Sequence, residues 1–222
     1  MSARVTGSSM AADWFRRQCW SEEDQTDFWQ RLAKARDHNR AQYVFIQGLT
    51  LMGAGPQYRI DAISLFDHVI DRYSDSLNFV QALSAKADCL LDSGDIDAAL
   101  TYYDLAIQQM RLEPRVQTWA WLDFAWLVAT KGLSNRYETA LGLLDEFGNE
   151  QQLFPIVVFR LYGSRALIQS AIGLTDAAAA AQTALNAADK EISGLRHHPK
   201  IGLVGERYSD LCTRLTTIAQ AR

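Results

Sequence analysis

The chain has 222 residues, of which 48% are hydrophobic, and its formal net charge at neutral pH is −4. This length and apolar content allow one or two domains with a buried core and exclude general disorder. The acidic balance argues against a nucleic-acid binder, and no apolar run approaches the roughly 18 residues that span a bilayer. We therefore expect no nucleic-acid partner and no membrane partner.

Residues 1–20 are predicted to form an N-terminal arm, partly flexible, without the apolar stretch of a secretory signal. Its aromatic cluster of Trp14, Phe15 and Trp20 is expected to fold back over the first helix pair and to cover the apolar face there. The alternative is that this arm docks onto a partner or onto a second copy of the chain.

The first predicted helix begins at Ser21. Ser21 and Asp24 have the spacing of a capping box, in which side chain and backbone hydrogen-bond reciprocally at a helix start. Phe28 and Leu32 then follow at helical spacing, which predicts an apolar stripe. We interpret this element as an N-terminal capping helix.

Four helix pairs are predicted next, over about 40–73, 77–112, 115–148 and 155–191. In each pair the second helix has an alanine where it should cross the first helix. These alanines are Ala62, Ala99, Ala140 and Ala178, at spacings of 37, 41 and 38 residues. Alanine at a crossing lets two helix backbones approach to the short end of the usual range of about 8–10 Å. The recurrence therefore predicts a helical repeat.

This pattern resembles the tetratricopeptide repeat family, over about residues 40–190. The segment 80–112 matches best, and its matching positions are Ala87, Gly94, Ala99, Tyr103 and Ala106. In the segment 118–150 the matching positions are Trp121, Ala125 and Ala140. The spacings are longer than the roughly 34 residues of that family. The resemblance implies a right-handed α-α superhelix whose first helices line a concave, peptide-binding surface.

The last predicted helix, over about 204–220, should cap the final pair. Its apolar positions share one face, and they are Val204, Tyr208, Leu211, Cys212, Leu215 and Ile218. The predicted fold is therefore all-α, a tetratricopeptide-like solenoid with N- and C-terminal capping helices, forming a single domain over 21–222.

The patterns that usually indicate catalysis or metal binding do not occur. His197 and His198 are adjacent, and no further His or Cys lies at the spacing of a metal ligand. Cys19, Cys89 and Cys212 lack the glycine-rich setting of a nucleophile elbow. Their odd number and wide separation favour free thiols in a reducing compartment, so we expect a cytoplasmic protein. We expect no enzyme, no catalytic residue, no cofactor and no metal.

Aromatic residues are the strongest indication of a binding surface. Trp119 and Trp126 lie seven residues apart and so share a helix face, whereas the family match assigns Trp121 to the core. Exposed aromatic residues with a few polar neighbours are typical of binding hot spots. The candidate partner-binding residues are Gln81, Ser84, Asp88, Trp119, Asp123, Trp126, Arg160 and Arg165. Alternatively, the tryptophans pack beneath neighbouring helices, and Arg165 forms a salt bridge within the repeat, for example with Asp123.

The expected function is a non-catalytic scaffold that binds a protein or peptide on the concave face. An immunity or antitoxin-like protein that blocks one enzyme partner is the main alternative; an unrecognised hydrolase and a structural homodimer are others. The chain is expected to be a monomer or a homodimer. The segments DWFRRQCW and HHPKIGLVG also resemble bacterial proteins of similar length that carry generic repeats.

Overall fold

The structure is a computed structural model that describes residues 13–149 and 152–221. Within these ranges it contains ten α-helices and no β-strand, which confirms the all-α class. The helices group into two compact units, one ending at Thr118 and the other beginning at Trp119. The single solenoid domain over 21–222 stays a prediction.

Unit 1 contains five helices, of which the last four pack in sequence order. They are α1 (Glu22–Lys34), α2 (Asp37–Ala54), α3 (Arg59–Arg72), α4 (Asn78–Asp92) and α5 (Ile96–Leu112). Helix α2 packs on α3, α3 on α4 and α4 on α5. The crossing alanines Ala62 and Ala99 are both fully buried, so the close helix approach that their size permits does occur here.

Helix α1 begins with the predicted capping box. The backbone N–H of Asp24 donates to the Ser21 hydroxyl at 3.2 Å, and the Ser21 N–H donates to the Asp24 carboxylate at 3.1 Å. The hydrogen bond from the Ser21 side chain holds the pKa of Asp24 below its usual value. Two backbone donors at the helix start are therefore satisfied locally.

The N-terminal segment 13–20 packs against the first helices. The ring centroids of Trp14 and Trp20 lie 5.4 and 5.3 Å from that of Phe28, which is fully buried. Phe15 also packs against this core. The prediction that the aromatic cluster folds back is confirmed, whereas residues 1–12 of the predicted arm lie outside the described residues.

Arg17 fixes the backbone of this segment. Its N–H donates to the side-chain oxygen of Gln47 at 2.9 Å, and its carbonyl accepts from the Gln47 amide at 2.8 Å. Its guanidinium pairs with Asp24 at 2.8 Å and also with Asp27. Gln47 is fully buried, so both ends of its amide are satisfied by the N-terminal segment.

Gly94 makes the turn between α4 and α5, as its position in the sequence predicts. Its φ of +86° lies in the left-handed region, which only glycine adopts readily. Asp95 follows as the N-cap and accepts from the backbone N–H of Ala98 at 3.1 Å. The chain therefore reverses in few residues and brings α5 back along α4.

Unit 2 contains the other five helices. They are α6 (Ala120–Lys131), α7 (Tyr137–Phe147), α8 (Pro155–Ala171), α9 (Ala177–Ala188) and α10 (Ser209–Gln220). Helix α6 packs on α7 and α8, and α8 packs on α9. Helix α10 packs on α9 and α8, the position expected of a helix that covers the last pair.

Two details of unit 2 differ from the sequence-based expectation. Helix α6 begins at Ala120 rather than near residue 115, because the turn that contains Pro114 occupies the intervening residues. In α9 the expected crossing residue Ala178 is only half-buried, whereas Ala181 is fully buried. Five consecutive alanines occur at this point. Because they are chemically identical, the sequence does not indicate which of them faces the neighbouring helix.

Candidate functional site

The predicted partner-binding residues fall in both units. Gln81, Ser84 and Asp88 lie on α4 of unit 1. The other five lie in unit 2, and they are Trp119, Asp123, Trp126, Arg160 and Arg165.

Trp119 and Trp126 have different environments. Trp119 precedes α6 and is 46% exposed, with its ring centroid 6.1 Å from that of the buried Trp121. Trp126 is half-buried, and its ring lies 6.0 Å from Phe159 and 5.8 Å from Tyr208 between centroids. The core position predicted for Trp121 is confirmed. Trp119 is therefore the member of the pair whose side chain is accessible to a partner.

The charged residues predicted for the binding surface of unit 2 pair with one another or with a neighbour. The guanidinium of Arg160 donates to Asp123 at 2.6 Å and lies 5.2 Å from the centre of the Trp126 ring. Arg165 pairs with Asp145 of α7 at 2.6 Å. Arg165 therefore forms a salt bridge, as the alternative predicted, but with Asp145 rather than with the example Asp123, whose carboxylate Arg160 reaches. These two ion pairs link α8 to α6 and to α7.

The three predicted residues of α4 are half-buried. Asp88 accepts from the hydroxyl of Tyr103 at 2.5 Å, which ties α4 to α5. The side-chain oxygen of Gln81 accepts from Asn78 at 2.8 Å. Gln81 is also the one predicted residue that lines an open cleft of unit 1.

This cleft, here called the α2–α4 cleft, has a volume of about 820 Å³. Its walls come from the first halves of α2 and α4, and the end of α3 and the α3–α4 connection complete it. Its apolar lining residues are Ala41, Phe45, Ile46, Tyr73 and Leu77, and its polar ones are Asp37, His38, Gln42, Arg72, Asp75, Ser76, Asn78 and Gln81. Leu77 is 71% exposed. The cleft thus combines an exposed apolar side chain, that of Leu77, with side-chain amide groups.

Sequence reasoning found only Gln81 of this cleft. The exposed Leu77 lies just before α4, where helical periodicity carries no information about exposure. A large apolar residue between Ser76 and Asn78, outside any helix stripe, was the available signal. The Ser76 hydroxyl is buried at the cleft without a hydrogen-bond partner among the described residues.

Lys86 is the most buried cation described in unit 1, and it joins three helices. It bonds to Asp67 of α3 and donates to the Tyr102 hydroxyl of α5 at 2.6 Å. Burial disfavours its charged form, but the bonds to Asp67 and Tyr102 outweigh that effect and raise the pKa of Lys86. It therefore stays charged and acts as a cross-link rather than as a base.

The thiol of Cys89 is also on α4 and is fully buried. Burial, helped by nearby Asp88 and Asp92, raises its pKa to about 12. The thiol is therefore protonated at neutral pH, which makes it a poor nucleophile. Cys89 acts as a small apolar residue of the core.

The described residues contain neither a cluster of metal ligands nor a membrane-spanning helix. No group of three or more His, Cys, Asp and Glu side chains in these ranges converges in a way that could hold a metal ion. None of the described helices is both long enough and apolar enough to cross a membrane. Comparison with protein families, with curated proteins and with solved structures finds no match to this chain.

Proposed function

We propose that this chain is a non-catalytic polypeptide-binding protein and that the α2–α4 cleft is its main contact surface. The observation that carries the proposal is an open cleft of about 820 Å³ between two helices of unit 1. Peptide segments bind in such clefts through one apolar anchor and a few amide hydrogen bonds. Leu77 and Gln81 supply these two kinds of contact.

The proposal includes the tetratricopeptide-like superhelix as the arrangement of the four helix pairs. Two observations support it: the pairs recur with buried alanines at Ala62, Ala99 and Ala140, and neighbouring pairs within each unit pack on each other. In such repeats the first helix of each pair lines the concave face. The α2–α4 cleft lies between the first helices of two successive pairs.

The roles of the polar residues on α4 support binding rather than catalysis. Lys86 and Asp88 both bond to tyrosines of α5, and Cys89 is held protonated. A reducing, cytoplasmic setting is part of the proposal, and the three free cysteines support it.

The test is selection of phage-displayed random peptides on the purified protein, followed by affinity measurement for the enriched peptides. We expect Leu77→Asn to weaken binding about tenfold, because an exposed apolar anchor contributes on the order of 1–2 kcal/mol. Leu112→Asn is the matched control, since Leu112 is 77% exposed on the same unit but does not line the cleft. Equal binding by the two variants would contradict the proposed site.

A further inference from the structure

A second cleft of unit 1 lies where α1 ends and α2 begins, and its charge is unusual. It has a volume of about 560 Å³. Its lining residues are Trp14, Arg31, Lys34, Ala35, Arg36, Asn39 and Tyr43. Three of these are cations and none is a carboxylate, although the whole chain carries a net charge of −4. This surface is called the basic cleft below.

The cations of the basic cleft are not needed to satisfy the end of α1. The last carbonyls of a helix attract cations, but Arg40 of α2 already fills that role. Its guanidinium donates to the carbonyl of Ala35 at 3.1 Å and to that of Ala33 at 2.9 Å. Lys34 and Arg36 are therefore available for another purpose.

Neighbouring carboxylates do not neutralise these two cations either. Asp27 of α1 accepts from both Arg17 and Arg31, the latter at 2.8 Å, and Asp37, which follows Arg36 in the chain, pairs with Arg40 at 2.8 Å. Within the ranges that the structure describes, Lys34 and Arg36 form no ion pair. Both side chains are exposed, so the basic cleft presents two uncompensated positive charges to solvent.

The remaining walls of the basic cleft suit a polypeptide. Trp14 and Tyr43 have ring centroids 5.2 Å apart and provide an aromatic wall. Asn39 lies one helical turn before Tyr43, and its amide can both donate to and accept from a peptide backbone. An acidic peptide offers carboxylates for the cations, methylene groups for the rings and a backbone for the amide.

We infer that the basic cleft binds an acidic segment of another polypeptide. The inference rests on the proposed function only in taking the ligand to be a polypeptide, and it uses a separate set of residues. The net charge of −4 on the whole chain disfavours a nucleic acid as the alternative anion, because nucleic-acid binders usually carry a basic excess.

The test uses fluorescence anisotropy with a labelled nonapeptide in which four Glu residues flank a central Phe on each side. The control peptide has Gln in place of every Glu. We expect Lys34→Gln/Arg36→Gln to weaken binding of the acidic peptide about tenfold at low salt, since each exposed charge pair contributes modestly. Lys131→Gln/Arg136→Gln removes the same charge from exposed positions of unit 2 and should leave binding unchanged.

The outcomes separate this inference from the proposed function. Equal binding by wild type and Lys34→Gln/Arg36→Gln, or equal binding of the Gln peptide, would overturn the inference. Octathymidylate and the unlabelled acidic peptide are compared as competitors of the labelled peptide. If octathymidylate displaces it at the lower concentration, the cleft binds nucleic acid and the inference is overturned. A loss caused by Lys34→Gln/Arg36→Gln but not by Leu77→Asn supports the inference even if the α2–α4 cleft binds nothing.

Discussion

Two residues of the same type can have different surroundings in this chain, as the tryptophans of unit 2 show. Trp119 is 46% exposed and contacts the buried Trp121, whereas Trp126 packs against both Phe159 and Tyr208 with a guanidinium over its ring. The helical repeat places residues seven apart on one face. Their burial depends instead on whether another helix passes over that part of the face.

This difference predicts unequal losses of stability when each tryptophan is replaced. We expect Trp126→Ala to lower the free energy of unfolding by about 2–4 kcal/mol, because it removes a packed aromatic side chain and leaves a cavity. Trp119→Ala should cost less than about 1 kcal/mol, as is usual at exposed positions. Urea unfolding followed by circular dichroism measures both. A larger loss for Trp119→Ala than for Trp126→Ala would show that their environments have been assigned the wrong way round.

At the scale of a helix, α2 packs closely against α3 at a glycine of α2. Gly48 of α2 is buried, and a Cβ atom at this position would lie 2.6 Å from a ring carbon of Phe66, which is fully buried. Gly53 lies on the same helix with nothing within 4 Å of a Cβ there. The two glycines therefore form a matched pair.

We expect Gly48→Ala to destabilise the protein by about 1–3 kcal/mol, because the new methyl group overpacks the α2–α3 contact. Gly53→Ala should stabilise it by about 0.5–1 kcal/mol, because alanine loses less backbone entropy in a helix. The shift of the melting temperature in the two variants measures the effect. A stabilised Gly48→Ala variant would mean that Phe66 can move aside.

Helices could be predicted from the sequence where a stripe and a cap coincide. In α1 the capping box of Ser21 and Asp24 and the buried stripe of Phe28 and Leu32 are all present as predicted. The partners of Arg160 and Arg165 could not be predicted in this way. Which carboxylate each one reaches depends on how α8 crosses α6 and α7, and local sequence does not encode that crossing.

The candidate site was predictable only in part, for a related reason. Clefts arise from gaps between helices, so their lining residues come from segments that are far apart in the sequence. Gln81 was found because the family resemblance places first helices on one surface. Leu77, Lys34 and Arg36 were missed because they lie at helix ends, where periodicity says nothing about exposure.

At the scale of the whole molecule, the proposed superhelix makes a prediction about size. A compact domain of 222 residues has a radius of gyration of about 17 Å. Stacked helix pairs that form an open solenoid should give a larger value in small-angle X-ray scattering. Molecular mass from the forward scattering serves as the control, because dimerisation would also raise the radius. A monomer at or below about 17 Å would contradict the superhelix.

The bond between Gln47 and Arg17 affects how a shortened version of this protein should be designed. Boundaries chosen from the repeat alone would start near residue 40 and would remove the backbone that satisfies the buried amide of Gln47. An amide left unpaired in an apolar interior costs about 1–3 kcal/mol. Truncations intended to isolate the first repeats should therefore keep the residues from Asp13 onward, even though they precede the first helix that the structure describes.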